Sequence, residues 1–442
     1  MRNRLIQILL ILPLSLSFSY AQEKGQEWSL KECIDHAIKH NLTIQRGSNT
    51  IEQNRLTKET NKWSRLPNLS GTASQGWNWG RSPSPVDNTY TDVQSANANF
   101  GLATSVPLFT GLELPNQYAL SKLNLQAAFA DLEKAKDDLA INVTSKYVQV
   151  LFNEELKGIA NQQIELSQEQ LDRGESLLAL GKIAEADVAE LRARVKQDEL
   201  NAVEAHNNYQ IALLDLSQLL ELDSPESLRV LPLTEDAEGY KLTAPEEIYT
   251  EALLFKPEIQ SAQLKAEGAL RSIRIAQSGF MPKLSLSANL SSGYYTVRGG
   301  QYSGFGTQLK NNFSQFVGFS LSVPIFNRMA TINRVKAAKV DLSNHKLQLE
   351  TEKKTLYKEI QQAWYGATAA EAKYASSQVA LEANRISFDL VKQKYELDQT
   401  TNLTFNEAKV NLMKAESDQL QAKYDYLFRL KLLNFYKGIP IE

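Results

Sequence analysis

The chain has 442 residues, with 48 Lys and Arg against 51 Asp and Glu and a formal charge of −3. That balance offers no basic surface for nucleic acid. One cysteine, Cys33, excludes an intrachain disulfide and a thiolate metal cluster, and the four histidines (His36, His40, His206, His345) are scattered.

The amino end reads Met1-Arg2-Asn3-Arg4, an apolar run from Leu5 to Phe18, then Ser19-Tyr20-Ala21. A positive start, an apolar stretch and a small-x-small site predict a secretory signal over residues 1–21, cut after Ala21. The run is shorter than the roughly 20 residues of a spanning helix. No cysteine sits at the cleavage site, so no amino-terminal lipid is expected. No later segment holds about 18 consecutive apolar residues, so no transmembrane helix is expected. An exported chain without one can still enter an outer membrane as a β-barrel.

Residues 29–63 carry helical periodicity (Ile34, Ala37, Ile38, Ile44, Ile51), with Ser29 and Glu32 spaced as a capping box. Cys33 falls on the buried face of this helix. His36 and His40 are spaced i, i+4, as two ligands on one helix face would be. No carboxylate or third histidine completes a motif, so neither a metal site nor a cofactor is expected.

After Pro67 the period changes from helical to two. Leu69, Gly71, Ala73, Trp77 and Trp79 share one face; Asn68, Ser70, Thr72, Ser74 and Asn78 share the other. A polar loop (Arg81 to Asp92) leads to a return strand with Ala96, Ala98, Phe100, Leu102 and Val106 opposite Asn97, Asn99, Gly101 and Ser105. The strands are expected to run about 10–13 residues, enough to cross a bilayer when tilted. Their polar face is small and uncharged, which suits a wet lumen with the apolar face toward lipid. Trp77, Trp79, Tyr294 and Tyr295 lie toward the loop ends, where an aromatic girdle sits. An amphipathic soluble hairpin pair is the plainer alternative.

From Gln117 to about Leu180 there is no proline, and Leu125, Ala128, Leu132, Ala135, Leu139, Val143, Tyr147 and Val150 recur at helical spacing. A helix of that extent reaches roughly 95 Å at about 1.5 Å per residue. It belongs to a coiled coil or a tube wall. Leu180-Gly181-Lys182 breaks it, with Gly181 placed as a helix C-cap, and a second helix returns from about Glu185 to Leu220. Residues 221–245 hold Pro225, Pro232, Gly239 and Pro245 and are expected to be irregular.

The pattern then repeats. Pro282 opens a second alternating run 215 residues after Pro67, and Val323-Pro324-Ile325-Phe326 closes it 217 residues after Val106-Pro107-Leu108-Phe109. The offset of 217 holds through the helices, where Leu139 matches Leu356, Tyr147 matches Trp364, and Glu190 matches Glu407. A period this long is a duplicated half-molecule, since solenoid repeats run about 20–50 residues. The expected division is a signal (1–21), a first repeat (22–220, hairpin 67–107), a connector (221–245), a second repeat (246–437, hairpin 282–324) and a tail (438–442).

Four strands cannot close a barrel, and an open sheet in lipid leaves backbone groups unpaired at several kcal/mol each. Several chains must therefore share one barrel. Two copies give about eight strands, which their own side chains fill; three or more leave an aqueous bore. Sequence physics does not fix the number.

The junctions Val106-Pro107-Leu108-Phe109-Thr110-Gly111 and Val323-Pro324-Ile325-Phe326-Asn327-Arg328, with the paired hairpin tips at 180–188 and 395–408, resemble the TolC family of bacterial outer-membrane efflux and secretion channels. The resemblance spans nearly the whole mature chain. It implies an α+β membrane protein: a homotrimer forming a twelve-stranded transmembrane barrel, four strands per chain, continued by a twelve-helix periplasmic tunnel. It implies outer-membrane lipid, a periplasmic adaptor and an inner-membrane pump or exporter as partners. The sequence holds no Gly-rich phosphate loop, nucleophile elbow, zinc motif or catalytic Cys–His setting, so no enzymatic activity is expected.

The family's acidic ring at the periplasmic aperture falls on Thr404 and Glu407, with first-copy counterparts Asp187 and Glu190; Thr404 departs from the acidic pattern. The family's closing latch, a Tyr and an Arg, falls on Tyr395 and Thr400, the second again a departure. The adaptor-contact turns fall on Leu180-Gly181-Lys182 and on Leu397-Asp398-Gln399, where Asp398 stands in place of glycine. The strand–helix junctions are marked by Pro67, Pro107, Pro282 and Pro324. Asp187, Glu190 and Glu407 have a plainer role as early-turn acids favoured by the helix dipole. The chief rival function is a trimeric coiled-coil surface or spacer protein without channel activity. The exported cargo is not legible.

Overall fold

The computed structural model describes residues 27–83, 89–225, 228–233, 242–397 and 399–441. The signal segment 1–21, parts of the connector and Asp398 lie outside the described residues.

The duplication is written in element lengths. Helices α1 (Leu30–His40) and α5 (Pro245–Phe255) have 11 residues each. They are followed by α2 (Leu42–Trp63) and α6 (Pro257–Gln277). Strands β2 (Asn68–Pro83) and β3 (Tyr90–Phe109) answer to β5 (Lys283–Val297) and β6 (Ser314–Ser322). The long helices α3 (Glu113–Ala179) and α8 (Ala330–Glu396) both run 67 residues. The return helices α4 (Glu185–Leu219) and α9 (Asn402–Tyr436) both run 35. The first copy adds β1 (Glu27–Trp28) and β4 (Arg229–Val230); the second adds the short helix α7 (Phe305–Asn311).

The single helix expected over 29–63 is broken. Asn41 is extended (φ −62°, ψ 131°), and its Oδ1 accepts the Thr43 N–H at 2.9 Å, an N-cap that starts α2 afresh. In the second copy Pro257 at the first turn of α6 forces the same break after Lys256. The capping box at Ser29 is present, with Ser29 N–H donating to Glu32 at 2.8 Å and Glu32 N–H to Ser29 Oγ at 3.3 Å. The Ser29 N–H and the Ser29 hydroxyl, both donating to the Glu32 carboxylate at 2.8 Å, hold it below its ordinary pKa.

The strands differ from their expected 10–13 residues. Three are longer (16, 20 and 15 residues) and β6 is shorter, at nine. Pro107 does not end its strand: β3 continues to Phe109 through an irregularity between Pro107 and Phe109. The connector is not wholly irregular either. β4 pairs in parallel with β1, and Leu231 N–H donates to Trp28 O at 3.0 Å.

Among the described residues, contacts divide the chain into two compact units, 27–36 with 143–233 and 37–142 with 242–441. In the first, Val143, Tyr147, Val150, Leu216, Leu220 and Leu228 are buried. The Tyr147 hydroxyl lies 2.6 Å from Leu231 O and 3.0 Å from Trp28 O, clasping the β1–β4 ribbon. Burial raises both the Tyr147 phenol and the Cys33 thiol, the latter to about 12, so Cys33 is no nucleophile at neutral pH.

In the second unit, Ile248 and Ala252 of α5 and Ile259 of α6 pack with Leu356, Ile360 and Ala363 of α8 and Leu433 and Tyr436 of α9. Each fully buried Ile or Leu contributes about 1.5–3 kcal/mol. The four strands form one antiparallel sheet in the order β2-β3-β5-β6.

Candidate functional site

Two features of the chain are candidates for function: the sheet and the two helical tips.

The sheet's register keeps like with like. Gly71, Leu102 and Leu290 lie in one cross-strand row, and Val106, Leu286 and Phe319 in another. On the opposite face Asn68, Ser105, Ser287 and Gly318 share a row, as do Thr72, Gly101, Ser291 and Ser314. Toward the helix end the apolar face is bare: Leu69 is 76% exposed, Phe319 72% and Val317 71%. Exposed apolar residues in this number mark a surface covered by lipid or protein. Gln315 on the apolar face and Phe316 on the polar one break the pattern.

At both strand-to-helix junctions the chain turns through consecutive left-handed residues. Gly111 (φ 64°) and Leu112 (φ 65°) precede α3; Arg328 (φ 55°) and Met329 (φ 64°) precede α8. A Cβ on Gly111 would stand 2.5 Å from Met281 Cβ, so the first junction requires glycine. Pro67 and Pro282 immediately precede β2 and β5, and Pro324 follows β6.

The first tip lies in the first unit. Gly181 has φ +70°, its N–H donates to Leu178 O at 2.8 Å, and Lys182 N–H donates to Leu177 O at 2.9 Å. This is a Schellman cap, as expected. Leu171, Val188, Leu191 and Val195 close the hairpin behind it. Leu180 is 70% exposed at the apex, beside exposed Lys182.

The second tip lies in the second unit. Gln399 N–H donates to Lys394 O at 2.8 Å, the counterpart of the Lys182 bond. The same closing bond therefore forms without glycine in the sequence. Leu397 and Gln399 are exposed; Asp398 falls outside the described residues.

The two return helices cap themselves by opposite halves of one device. On α4 the Asp187 carboxylate accepts the Ala184 N–H at 3.0 Å. On α9 the Thr401 hydroxyl accepts the Thr404 N–H at 3.3 Å and lies 3.1 Å from the Thr404 hydroxyl. Asp187 and Thr404 thus have local capping roles. Glu190 and Glu407, three residues further along each helix, are exposed.

The Tyr395 hydroxyl is 2.6 Å from Asn402 Oδ1, and its ring packs 4.6 Å from Phe405, which in turn meets Phe388 at 5.4 Å. The structure therefore joins Tyr395 to Asn402 and Phe405. Sequence reasoning missed both; the available signal was Asn402 opening α9, seven residues beyond Tyr395 and within reach across the turn. Thr400 is half-buried.

A further cluster went unnoticed. Lys256 is 2% exposed, 3.6 Å from Asp137 and 3.4 Å from the Phe435 ring centroid. Burial lowers the Lys256 pKa against the pull of Asp137, and burial raises those of Asp137 and Glu258. His36, a candidate ligand by spacing, instead meets the Trp28 ring edge-on at 5.0 Å.

The sequence matches the family described as "Outer membrane efflux protein" over residues 34–221 and 248–437, one segment in each half. It is 25% identical to Outer membrane protein TolC of Escherichia coli over 353 residues, 77% of this chain and 70% of that one. It is also 25% identical to Solvent efflux pump outer membrane protein SrpC of Pseudomonas putida over 425 residues, 92% and 84% of the two chains. Among solved structures, the Campylobacter jejuni CmeC outer membrane channel superposes with a TM-score of 0.79 at 20% identity, over 93% of this chain and 86% of that one. Matched in both halves by sequence and along nearly its whole length by fold, the chain belongs to the outer membrane efflux protein family.

Proposed function

We propose that the chain is the exit duct of an export machine: three copies complete a twelve-stranded barrel in the outer membrane, and their helices continue it through the periplasm. The observation that carries this is the four-stranded sheet whose terminal strands, β2 and β6, have no partner on their outer edges among the described residues, with one face apolar and one small and polar. Hydrocarbon does not tolerate unpaired edges, so further copies close the sheet. Three copies leave a bore lined by Ser, Asn, Thr and Gly. A periplasmic adaptor engages the two tips, and an inner-membrane pump or exporter delivers the cargo. Relatives named for protease secretion, pyoverdine export and solvent efflux support the shared duct while differing in cargo. The repeats 22–220 and 246–437 are the two duplicated halves, joined by 221–245.

Asp187, Glu190 and Glu407 supply nine carboxylates to the aperture of the trimer, and crowded like charges there favour cations. In planar bilayers the purified protein is expected to conduct with cation preference. Asp187→Asn, Glu190→Gln and Glu407→Gln combined are expected to remove most of that preference while conduction persists. No conduction by any preparation would overturn the duct; an unchanged ion preference would overturn the acidic aperture alone.

Tyr395 latches its own tip through Asn402, a neutral bond of about 1 kcal/mol. Tyr395→Phe keeps the ring on Phe405 and removes only the hydroxyl. Single-channel recording is expected to show more frequent opening; behaviour equal to the parent would count against a latch role for this group.

A further inference from the structure

The extracellular half of the sheet is finished in an unusual way. β6 pairs only with Lys283–Ser291 of β5, so the loop end of β5, from Ser292 to Val297, has no strand on that side. Helix α7 lies there instead and substitutes side chains for a ladder. Gln308 accepts the Tyr295 N–H at 3.0 Å and donates to Tyr295 O at 3.1 Å; Asn312 donates to Gly293 O at 2.7 Å. The Ser292 hydroxyl donates to Leu309 O at 2.6 Å. Phe305 anchors the helix on the apolar face against Tyr294 (5.1 Å) and Phe100 (6.2 Å). The remaining polar positions, Thr307, Lys310 and Asn311, are exposed.

Closing the barrel sets β6 of one copy beside β2 of the next. β2 has 16 residues and β6 nine, so the ladder between them satisfies at most nine positions of β2. The excess includes the loop end, because β6 begins only at Ser314, level with Ser291, Gly101 and Thr72, and α7 takes the loop side beyond that row. That end already departs from ladder geometry: Gly80 has φ +128° with open space around it, and Pro83 has no N–H to offer.

We infer that α7 is the docking surface for the loop end of β2, near Trp79–Pro83, of a second copy of this chain. The seam between copies is then a hybrid. It is a β6–β2 ladder toward the periplasm and a set of side-chain contacts from Thr307, Lys310 and Asn311 toward the outside. This inference rests on the trimeric-barrel reading and assigns the part of that barrel no ladder can close.

Disulfide trapping in the assembled protein tests it. Lys310→Cys is combined with Trp79→Cys or Arg81→Cys, and a control combines Phe319→Cys with Leu69→Cys, Gly71→Cys or Ala73→Cys. Within one chain β3 and β5 separate either pair by about 14 Å at strand spacing, beyond disulfide reach. Native Cys33 is buried and does not compete. Covalent dimers and trimers are expected from at least one pair of each kind. Control crosslinks without α7–β2 crosslinks would overturn the hybrid seam and leave the barrel standing; absence of both would overturn the barrel as well. Amide exchange gives a second measurement. The Trp79 and Arg81 amides are expected to exchange at least tenfold more slowly in the parent assembly than in Lys310→Ala/Asn311→Ala; equal rates would overturn the contact.

Discussion

Phe319→Arg is expected to abolish recovery of the assembled protein from the outer membrane. Phe319 sits in the same row as Leu286 and Val106 on the apolar face and is 72% exposed. An arginine on the lipid face costs up to about 2–4 kcal/mol, less toward the interfaces, and each of the copies around the barrel bears that cost. The adjacent residue is the control. Ser320 pairs with Ser285 on the opposite face, and Ser320→Arg is expected to assemble at near-parental yield with a narrower or more anion-favouring bore. Membrane fractionation and the heat-dependent gel shift of a folded barrel read both variants. Equal assembly of Phe319→Arg and parent would mean that this face does not meet lipid.

The second large effect is expected at Lys256. Its ammonium is almost wholly removed from water and is compensated by Asp137 and by the faces of Phe435 and Tyr436, 3.4 and 5.3 Å away. Lys256→Ala removes the cation–π contacts and the packing of the buried stem, while Asp137, 35% exposed, turns to water, a loss of about 2–3 kcal/mol. The pairing itself is a different matter. Lys256→Met with Asp137→Asn keeps the stem and removes both charges, and it is expected to recover most of the loss.

The pH dependence follows from the directions of the shifts. Asp137 is raised, so its ionised form opposes folding above its folded-state pKa, and that opposition fades as pH falls toward 3.8. Lys256 is lowered, so its charged form opposes folding below its folded-state pKa, and that opposition fades as pH rises toward 10.5. The difference in melting temperature between parent and double variant should therefore be widest near neutral pH and narrow in both directions. A Lys256→Ala protein melting with the parent would show that the cluster is not structural.

Much of the architecture was legible because it is carried by local rules. Prolines at 67 and 282 begin strands, a glycine at 181 ends a helix, and a constant spacing fixes two hairpins of equal rods. Alternation assigned each face of the sheet before register was known. What escaped was decided at a distance. The break at Asn41 hides inside an unbroken apolar period, since a cap changes the backbone without changing the pattern. β3 and β6 occupy equivalent places in the two copies, yet β3 lies between two partners and extends while β6 stands at an edge and is replaced by α7. Lys256 finds its carboxylate on a helix more than a hundred residues earlier, which no spacing rule foresees. At the tips, residue types suggested an aperture, but only side-chain geometry revealed that Asp187 and Tyr395 already hold their own hairpins together.

The matched lengths of the helices, 67 with 67 and 35 with 35, constrain how such a chain can change size. One extra residue in a single rod turns everything beyond it by about 100° and carries its packing stripe off its neighbours. A longer conduit therefore cannot be reached by piecemeal insertion. Whole heptads would have to enter ascending and descending limbs of both halves together, so conduit length is inherited as a step rather than a slope, and a machine built to a wider or narrower cell envelope must be re-gauged in four places at once.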